Sequence, residues 1–346
     1  MNKNLKIQKA DLDWKNLPFG YIKTDYNIRY HYKNGKWSDG TLTKEDTIQM
    51  HMADPCLHYS QEAFEGLKAF ETSDGRIVSF RPAENAKRMQ RSCERIIIPP
   101  VPAGIFMEAV HKVVAANAKF VPPFGTGASM YIRPLVIGTG AQVGLGPAKE
   151  YLFIVFATPV GPYYKGGFKP VKALVVEEFD RAAPRGTGAF KIGGNYAAGL
   201  LGSEYAKKKG YPIALYLDPK EKKYIDEFST SNFIAVSKNK YITPDSETIL
   251  QSITNMSLFE LAKDLGMEAH RRPIAIDEVE AFDEIGAVGT AAVITPISLI
   301  HYRERDMRFG DENTPGPATT RLYEALTKIQ TGEIEDKFGW LEEIDV

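Results

Sequence analysis

The sequence predicts two α+β domains, and three observations carry that expectation. The chain has 346 residues, and at roughly 150 residues per domain that leaves room for two hydrophobic cores. Short strands joined by hairpins are interspersed with helices, which suits α+β units better than one doubly wound sheet. Near mid-chain, Thr158-Pro-Val-Gly-Pro-Tyr-Tyr-Lys-Gly-Gly-Phe-Lys-Pro170 interrupts regular structure with its prolines and glycines. The expected organisation is a smaller N-terminal α+β domain over 1–158, an interdomain linker over 159–170 and a larger C-terminal α+β domain over 171–346.

Each element follows from local pattern. Ile28, Tyr30 and Tyr32 alternate ahead of Asn34-Gly35, a strong hairpin signal. Leu67 to Glu71 and Arg76 to Phe80 flank Ser73-Asp74-Gly75 as a second hairpin. Pro82 opens a helix to about Arg95, because proline suits the first helical position. Phe106, Val110, Val113 and Val114 share one side of a helix from about Gly104 to Lys119. Ser129 to Ile137 and Tyr151 to Thr158 read as strands. In the second half, strands are expected at 171–178, 213–218, 224–228 and 233–237, and helices at 196–209, 253–265 and 318–330. No G-x-G-x-x-G opens a β-α-β unit, so a dinucleotide fold is unsupported.

Composition excludes several classes. A formal net charge of -1 with no Lys/Arg block argues against a nucleic-acid partner. The N-terminus has no apolar stretch of the signal-peptide kind, and the longest apolar run, Tyr151 to Ala157, is far short of the roughly 20 residues that span a bilayer. The expectation is a soluble cytoplasmic protein without a membrane partner. Cys56 and Cys93 form no C-x-x-C and read as small buried apolar residues. The six histidines form no H-x-x-x-H pair, so no metal site is expected.

Four segments can carry chemistry. Lys191 sits in Gly186-Thr-Gly-Ala-Phe-Lys-Ile-Gly-Gly-Asn-Tyr196, where glycines let backbone approach a ligand. It reads as a Schiff-base amine or as a solvated loop lysine. Glu227 lies in an extended segment, facing either a cationic partner or solvent. Ser252 is a good N-cap for a helix whose start suits phosphate, and Gly286 to Ala292 is small enough to cradle an oxyanion. Plain capping and turn chemistry explain both equally well. If Ser129 to Ile137 is a strand, Tyr131 and Arg133 share one face while Met130 and Ile132 face a core.

Taken in order, Tyr59-Ser-x-x-x-Phe64-Glu-Gly66, Phe80-Arg81-Pro82, Tyr131-Ile-Arg133-Pro134, Lys191-x-Gly-Gly-Asn-Tyr196, Glu227-x-x-Thr230-x-Asn232 and Gly289-Thr-Ala291 resemble the branched-chain aminotransferases. These are fold-type IV pyridoxal phosphate enzymes with the architecture of D-amino acid aminotransferase, and the resemblance runs from about Phe19 to Trp340. It implies that Lys191 is the Schiff-base lysine and proton shuttle, Tyr196 the partner of the cofactor's phenolic oxygen and Glu227 the partner of its pyridine nitrogen. Arg81, Ile253, Thr254 and Thr290 hold the phosphate, Leu250 packs on the ring, and Thr230 is counted among the cofactor residues. Tyr131 with the amides of Thr290 and Ala291 binds the substrate α-carboxylate. Arg133 serves the second carboxylate of glutamate, or pairs with a nearby acid as a brace. Phe19, Tyr59 and Phe64 line the side-chain pocket, which Val143 and Leu145 reach from a partner subunit of a homodimer.

The implied reaction moves an amino group between leucine, isoleucine or valine and 2-oxoglutarate. Gln251-Ser252 stands where the family usually has Pro-Gly, and Ala292 and Thr295 replace a C-x-x-C found in some members. Other readings within the fold are a D-amino acid aminotransferase, an aminodeoxychorismate lyase or a non-catalytic regulatory relative. Outside it stands a Schiff-base aldolase without cofactor.

Overall fold

A computed structural model describes residues 7–163 and 167–346. The chain divides into two compact units. One comprises Met1–Lys165, Lys191–Gly193 and Lys328–Val346, the other Gly166–Phe190 and Gly194–Thr327.

The first unit contains strands β1 (Asn27–Lys33), β2 (Lys36–Trp37), β3 (Thr41–Thr43), β4 (Glu62–Phe64), β5 (Leu67–Glu71), β6 (Ile77–Phe80), β7 (Ser129–Thr139) and β8 (Glu150–Val160). Its helices are α1 (Pro55–Tyr59), α2 (Pro82–Arg95) and α3 (Ala103–Ala116). The strands form one antiparallel sheet in which β7 pairs with β8, β5 and β4. Asn34 and Gly35 both hold positive φ between β1 and β2, as a tight hairpin demands. The helix expected to reach Lys119 stops at Ala116, followed by a short 3-10 turn. Asn117 ends it by donating to the carbonyls of Val113 and Tyr26 and accepting from the Tyr26 amide.

Regular structure also enters the segment expected to be a linker. Pro159 and Val160 remain in β8, opposite Met130 and Ser129. β1 covers only Tyr151 to Val155 of that strand, so at Pro159 the missing N–H falls on an edge that β1 does not use. Residues 164–166 of that segment lie outside the described residues.

The second unit contains β9 (Val171–Val176), β10 (Ile213–Leu217), β11 (Ile225–Phe228), β12 (Ser231–Ser237), β13 (Lys240–Thr243), β14 (Glu268–Arg271), β15 (Glu284–Gly289), β16 (Val293–Tyr302) and β17 (Arg305–Arg308). Its helices are α4 (Gly193–Lys208), α5 (Ile253–Asp264) and α6 (Pro317–Gln330). Pairing runs β11-β10-β9-β16-β15-β12 and returns to β11, which closes a barrel. Ala173, Leu215, Phe228, Phe233, Ala235 and Ile300, all fully buried, belong to its apolar core. Gly286 to Gly289, expected as part of a turn, is instead the end of the central strand β15. A Cβ on Gly286 would come within 3.1 Å of Ile234 and Ile294, so the small residues there serve close packing between strands.

The chain ends by returning to the first unit, where β18 (Leu341–Glu343) pairs antiparallel with β6.

Candidate active site

In the first unit, β7 does the placing. Met130 and Ile132 are fully buried, and Tyr131 and Arg133 occupy the other face, as the alternation predicts. Residues paired directly across strands share a face. Lys68 on β5 lies opposite Tyr131, and Phe64 on β4 lies opposite Leu135, so both join the Tyr131–Arg133 face. Burial pushes the Lys68 amine down to about 8, an effect without any local sequence signal.

Arg133 is held by aromatic rings. Its guanidinium lies 5.0 Å from the Phe64 ring centre and 5.3 Å from that of Tyr131, and Nη2 donates to the Tyr131 hydroxyl at 3.2 Å. Its Nε is buried without a hydrogen-bond partner, and among the described residues no carboxylate forms an ion pair with it. Phe19 packs edge-on against Tyr131, with ring centres 5.5 Å apart.

Lys191 is tied to this face through its backbone. Its N–H donates to Ser92 Oγ at 2.9 Å, its carbonyl accepts from the Phe64 amide at 3.1 Å, and Ile192 bridges Ala63. The side chain takes no part in those bonds, and Nζ sits 4.6 Å from the Phe64 ring centre. Beneath Phe64, Glu65 is fully buried and bonded bidentately by Arg88 of α2 at 2.7 Å, with Asn85 adding a third donor at 2.8 Å. A buried pair of this kind mainly fixes geometry. The sequence showed Glu65 as a motif residue but gave no sign of Arg88 as its partner.

Gly66 leaves room for the hydroxyl end of Tyr131 to approach the chain closely. A Cβ there would stand 2.8 Å from ring carbon Cζ and closer still to the hydroxyl. We expect Gly66→Ala to displace Tyr131, at a cost of about 1–3 kcal/mol in stability. A melting temperature equal to the parent's would refute this.

Arg81 caps α2 with a left-handed φ of 49°, its guanidinium 5.0 Å from the Trp340 ring centre. Tyr59 is 39 % exposed and donates to the Val143 carbonyl. Val143 and Leu145 are 85 % and 84 % exposed, so neither encloses anything within its own chain.

In the second unit the centre is Glu227, 4 % exposed on β11. Arg181 Nη1 forms an ion pair with Oε1 at 2.9 Å, Oε1 accepts from the Leu250 amide at 3.2 Å, and Oε2 accepts from Asn232 Nδ2 at 2.7 Å. Asn232 is aligned in turn by Asn255 Nδ2 at 3.1 Å and by bonding the Leu250 carbonyl at 2.9 Å. Burial raises the Glu227 carboxyl to about 7, against the pull of Arg181 and with the push of Asp226. The sequence pointed to Glu227, whereas Arg181 carries no local signal.

The remaining residues of this unit lie on turns and one helix start. Ser252 accepts from the Asn255 amide at 3.2 Å and so caps α5, as expected even without the Pro-Gly turn. Ile253 and Thr254 are the first helical residues, where amides lack intrahelical partners. Thr290, Ala291 and Ala292 make the β15–β16 turn, which ends at Val293 with φ 63°. A β-branched residue held there marks strain of the kind stored at ligand-binding turns. Exposed Thr230 lies in the β11–β12 turn, which packs beside Gly289. Tyr196 rises from α4, and Asn195 beside it bonds the carbonyls of Thr187 and Phe190, bracing the glycine turn ahead of Lys191.

Among the described residues no cluster is placed to hold a metal ion, and no helix is long and apolar enough to cross a membrane. Cys93 is fully buried, whereas Cys56 is only partly so, and burial raises the two thiols to about 12 and about 11.

Comparison with known proteins gives the family. The amino-transferase class IV family model matches residues 62–300. The branched-chain-amino-acid aminotransferase of Haemophilus influenzae is 48% identical, over 97% of this chain and 99% of its own. That of Helicobacter pylori is 48% identical, over 96% of this chain and 98% of its own. The branched-chain amino acid aminotransferase of Thermobaculum terrenum, solved in its PLP form, superposes with a TM-score of 0.76 at 25% identity, covering 94% of this chain and 99% of that one. The chain belongs to the class IV aminotransferase family, within its branched-chain-amino-acid aminotransferases.

Proposed function

We propose that this chain transfers the amino group of leucine, isoleucine or valine to 2-oxoglutarate, with Lys191 as the catalytic amine and Arg133 as the residue that accepts glutamate's second carboxylate. One observation carries the reading: against Phe64, which Lys191 also approaches, lies an arginine bedded on two aromatic rings, with no carboxylate paired to it among the described residues. The rings suit an apolar branched side chain. The guanidinium suits an anion that would otherwise be buried unpaired at high cost.

The donor sets fit pyridoxal phosphate. Lys191 is an amine held by its backbone, Glu227 is an anionic acceptor for a ring nitrogen, and the capped start of α5 and the strained β15–β16 turn present amides suited to phosphate. Arg81, Ile253, Thr254 and Thr290 are the phosphate residues in this reading, Leu250 packs on the ring and Tyr196 meets the phenolic oxygen. The bound cofactor supplies an electron sink for the pair left at the substrate α-carbon. Lys191 Nζ takes the α-proton and returns it, Tyr131 with the amides of Thr290 and Ala291 orients the α-carboxylate, and Glu227 keeps the ring nitrogen protonated.

Arg133→Met tests the assignment. A charge-assisted hydrogen bond is worth about 1.5–3 kcal/mol, or roughly 10- to 150-fold. Glutamate and 2-oxoglutarate should weaken by that factor while the leucine half-reaction changes little, each followed separately by stopped-flow. Equal losses for both substrates would make Arg133 a brace.

The reading includes a cytoplasmic homodimer, for which free thiols suit a reducing compartment. Met52 and Leu57 are exposed along with Val143 and Leu145, and Gln142 bonds the Ala53 carbonyl, so these apolar side chains lie on neighbouring segments. Val143→Asp with Leu145→Asp is expected to weaken self-association and to raise KM for leucine, measured by light scattering and steady-state kinetics. An active monomer before mutation would exclude the dimer.

A further inference from the structure

Arg181 lies between two neighbouring acids of β11. Nε donates to Asp226 Oδ2 at 3.1 Å, Nη1 contacts Glu227 Oε1 at 2.9 Å, and Nη2 donates to the Thr248 carbonyl. The three side chains are 9 %, 1 % and 6 % exposed. Asp226 is satisfied further by Ser246 Oγ at 3.3 Å and by Thr248 Oγ1. Adjacent residues of a strand point to opposite faces, so two acids in sequence rarely meet one cation. Here the guanidinium reaches both because it comes from the loop after β9, where Gly188 allows close approach to the Thr248 carbonyl.

The charges do not cancel. Asp226 and Glu227 share the single guanidinium of Arg181, so among the described residues this cluster is one positive charge short of neutral. Burial of an unbalanced carboxylate is costly unless something cationic completes it. The titratable groups that face Glu227 are Arg181 and Asp226, and Tyr196 of α4 faces Arg181.

We propose that Arg181 and Asp226 are positioning residues: Asp226 anchors the guanidinium, and the guanidinium orients Glu227 as a carboxylate in a cluster one positive charge short of neutral, set for a cationic ring nitrogen. This rests on the reading that Glu227 partners the nitrogen of pyridoxal phosphate. The two neighbours act on Glu227 in opposite senses. Arg181 favours its ionised form, and Asp226 opposes it. Mere bracing of the fold would give both removals the same sign.

The experiment is thermal unfolding of the full chain freed of cofactor, followed from pH 5 to 9. Parent, Arg181→Met, Arg181→Lys and Asp226→Asn are each compared with and without Glu227→Gln, so that the difference isolates Glu227. The pH midpoint of that difference should rise by about one unit or more in Arg181→Met and fall by about one unit in Asp226→Asn, the size expected of one adjacent charge. Arg181→Lys should stay nearer the parent. Shifts of the same sign, or none, would overturn the proposal. If Arg181→Met does not fold, Asp226→Asn and Arg181→Lys decide: a midpoint that fails to fall in the former, or a lysine variant far from the parent, overturns it. The underlying reading fails separately. Glu227→Gln that binds pyridoxal phosphate with the parent's affinity and absorption band would remove the ring-nitrogen assignment, whatever the midpoints do.

Discussion

Lys191→Ala should fold as the parent does and lose at least about 10⁴-fold in turnover, the upper end of what general acid–base catalysis alone contributes. The fold survives because Lys191 contributes to it through its backbone. The bonds to Ser92 and Phe64 use its amide and carbonyl, and alanine keeps both. What disappears is the amine 4.6 Å from the Phe64 ring centre. No side chain is left there to attack a carbonyl carbon or to carry the α-proton. Borohydride reduction followed by mass spectrometry should show covalent cofactor on the parent and none on the variant. A variant that still gained the reduced adduct and still turned over would place the chemistry at another lysine. Lys68, whose amine burial has already pushed down to about 8, would then be the one to examine.

Glu227→Gln should lower the rate of each half-reaction by about 10²- to 10³-fold, the scale of one preorganised electrostatic group. Both carboxylate oxygens now accept, Oε1 from the Leu250 amide and Oε2 from Asn232, and Arg181 forms an ion pair with Oε1. An amide must turn its NH₂ toward one of those donors in either orientation, so the variant loses a hydrogen bond as well as a charge. Its pH dependence should also flatten. The folded carboxyl titrates at about 7 against an ordinary 4.5. A raised carboxyl favours the folded state fully below pH 4.5, and that advantage is lost as pH rises through 7. By linkage the loss is about 3 kcal/mol in the cofactor-free chain, and a glutamine cannot show it. Denaturation at pH 5 and pH 8 should therefore separate parent from variant. Half-reaction rates equal to the parent's would mean that Glu227 does not serve the ring nitrogen, and an undiminished pH dependence would mean that another group titrates.

The local elements were legible because their causes are local. Asn34-Gly35 specifies a hairpin, Pro82 starts α2, and Ser252 starts α5 by capping it, each through bonds that reach only a few residues. Period-two alternation alone put Tyr131 and Arg133 on one face and Met130 and Ile132 in the core. Lys191 and Glu227 were visible only as members of an ordered set of motifs, since each by itself reads better as a solvated charge.

Other features came from the tertiary structure. Local pattern gave no sign that the barrel closes through β11 and β12, that β18 returns to β6, or that a glycine-rich stretch is half central strand. The same holds for the charges. The sequence left Arg133 open between anchor and brace, and it could not show the two aromatic rings that the fold brings against the guanidinium. Arg181 had no sequence signal, yet it reaches across 45 residues to Asp226. The reason is physical. A buried arginine and a solvated one are the same letter, and what distinguishes them is the water they lose and the partner that replaces it. Those are set by segments distant in sequence, which only the folded chain brings within hydrogen-bond reach.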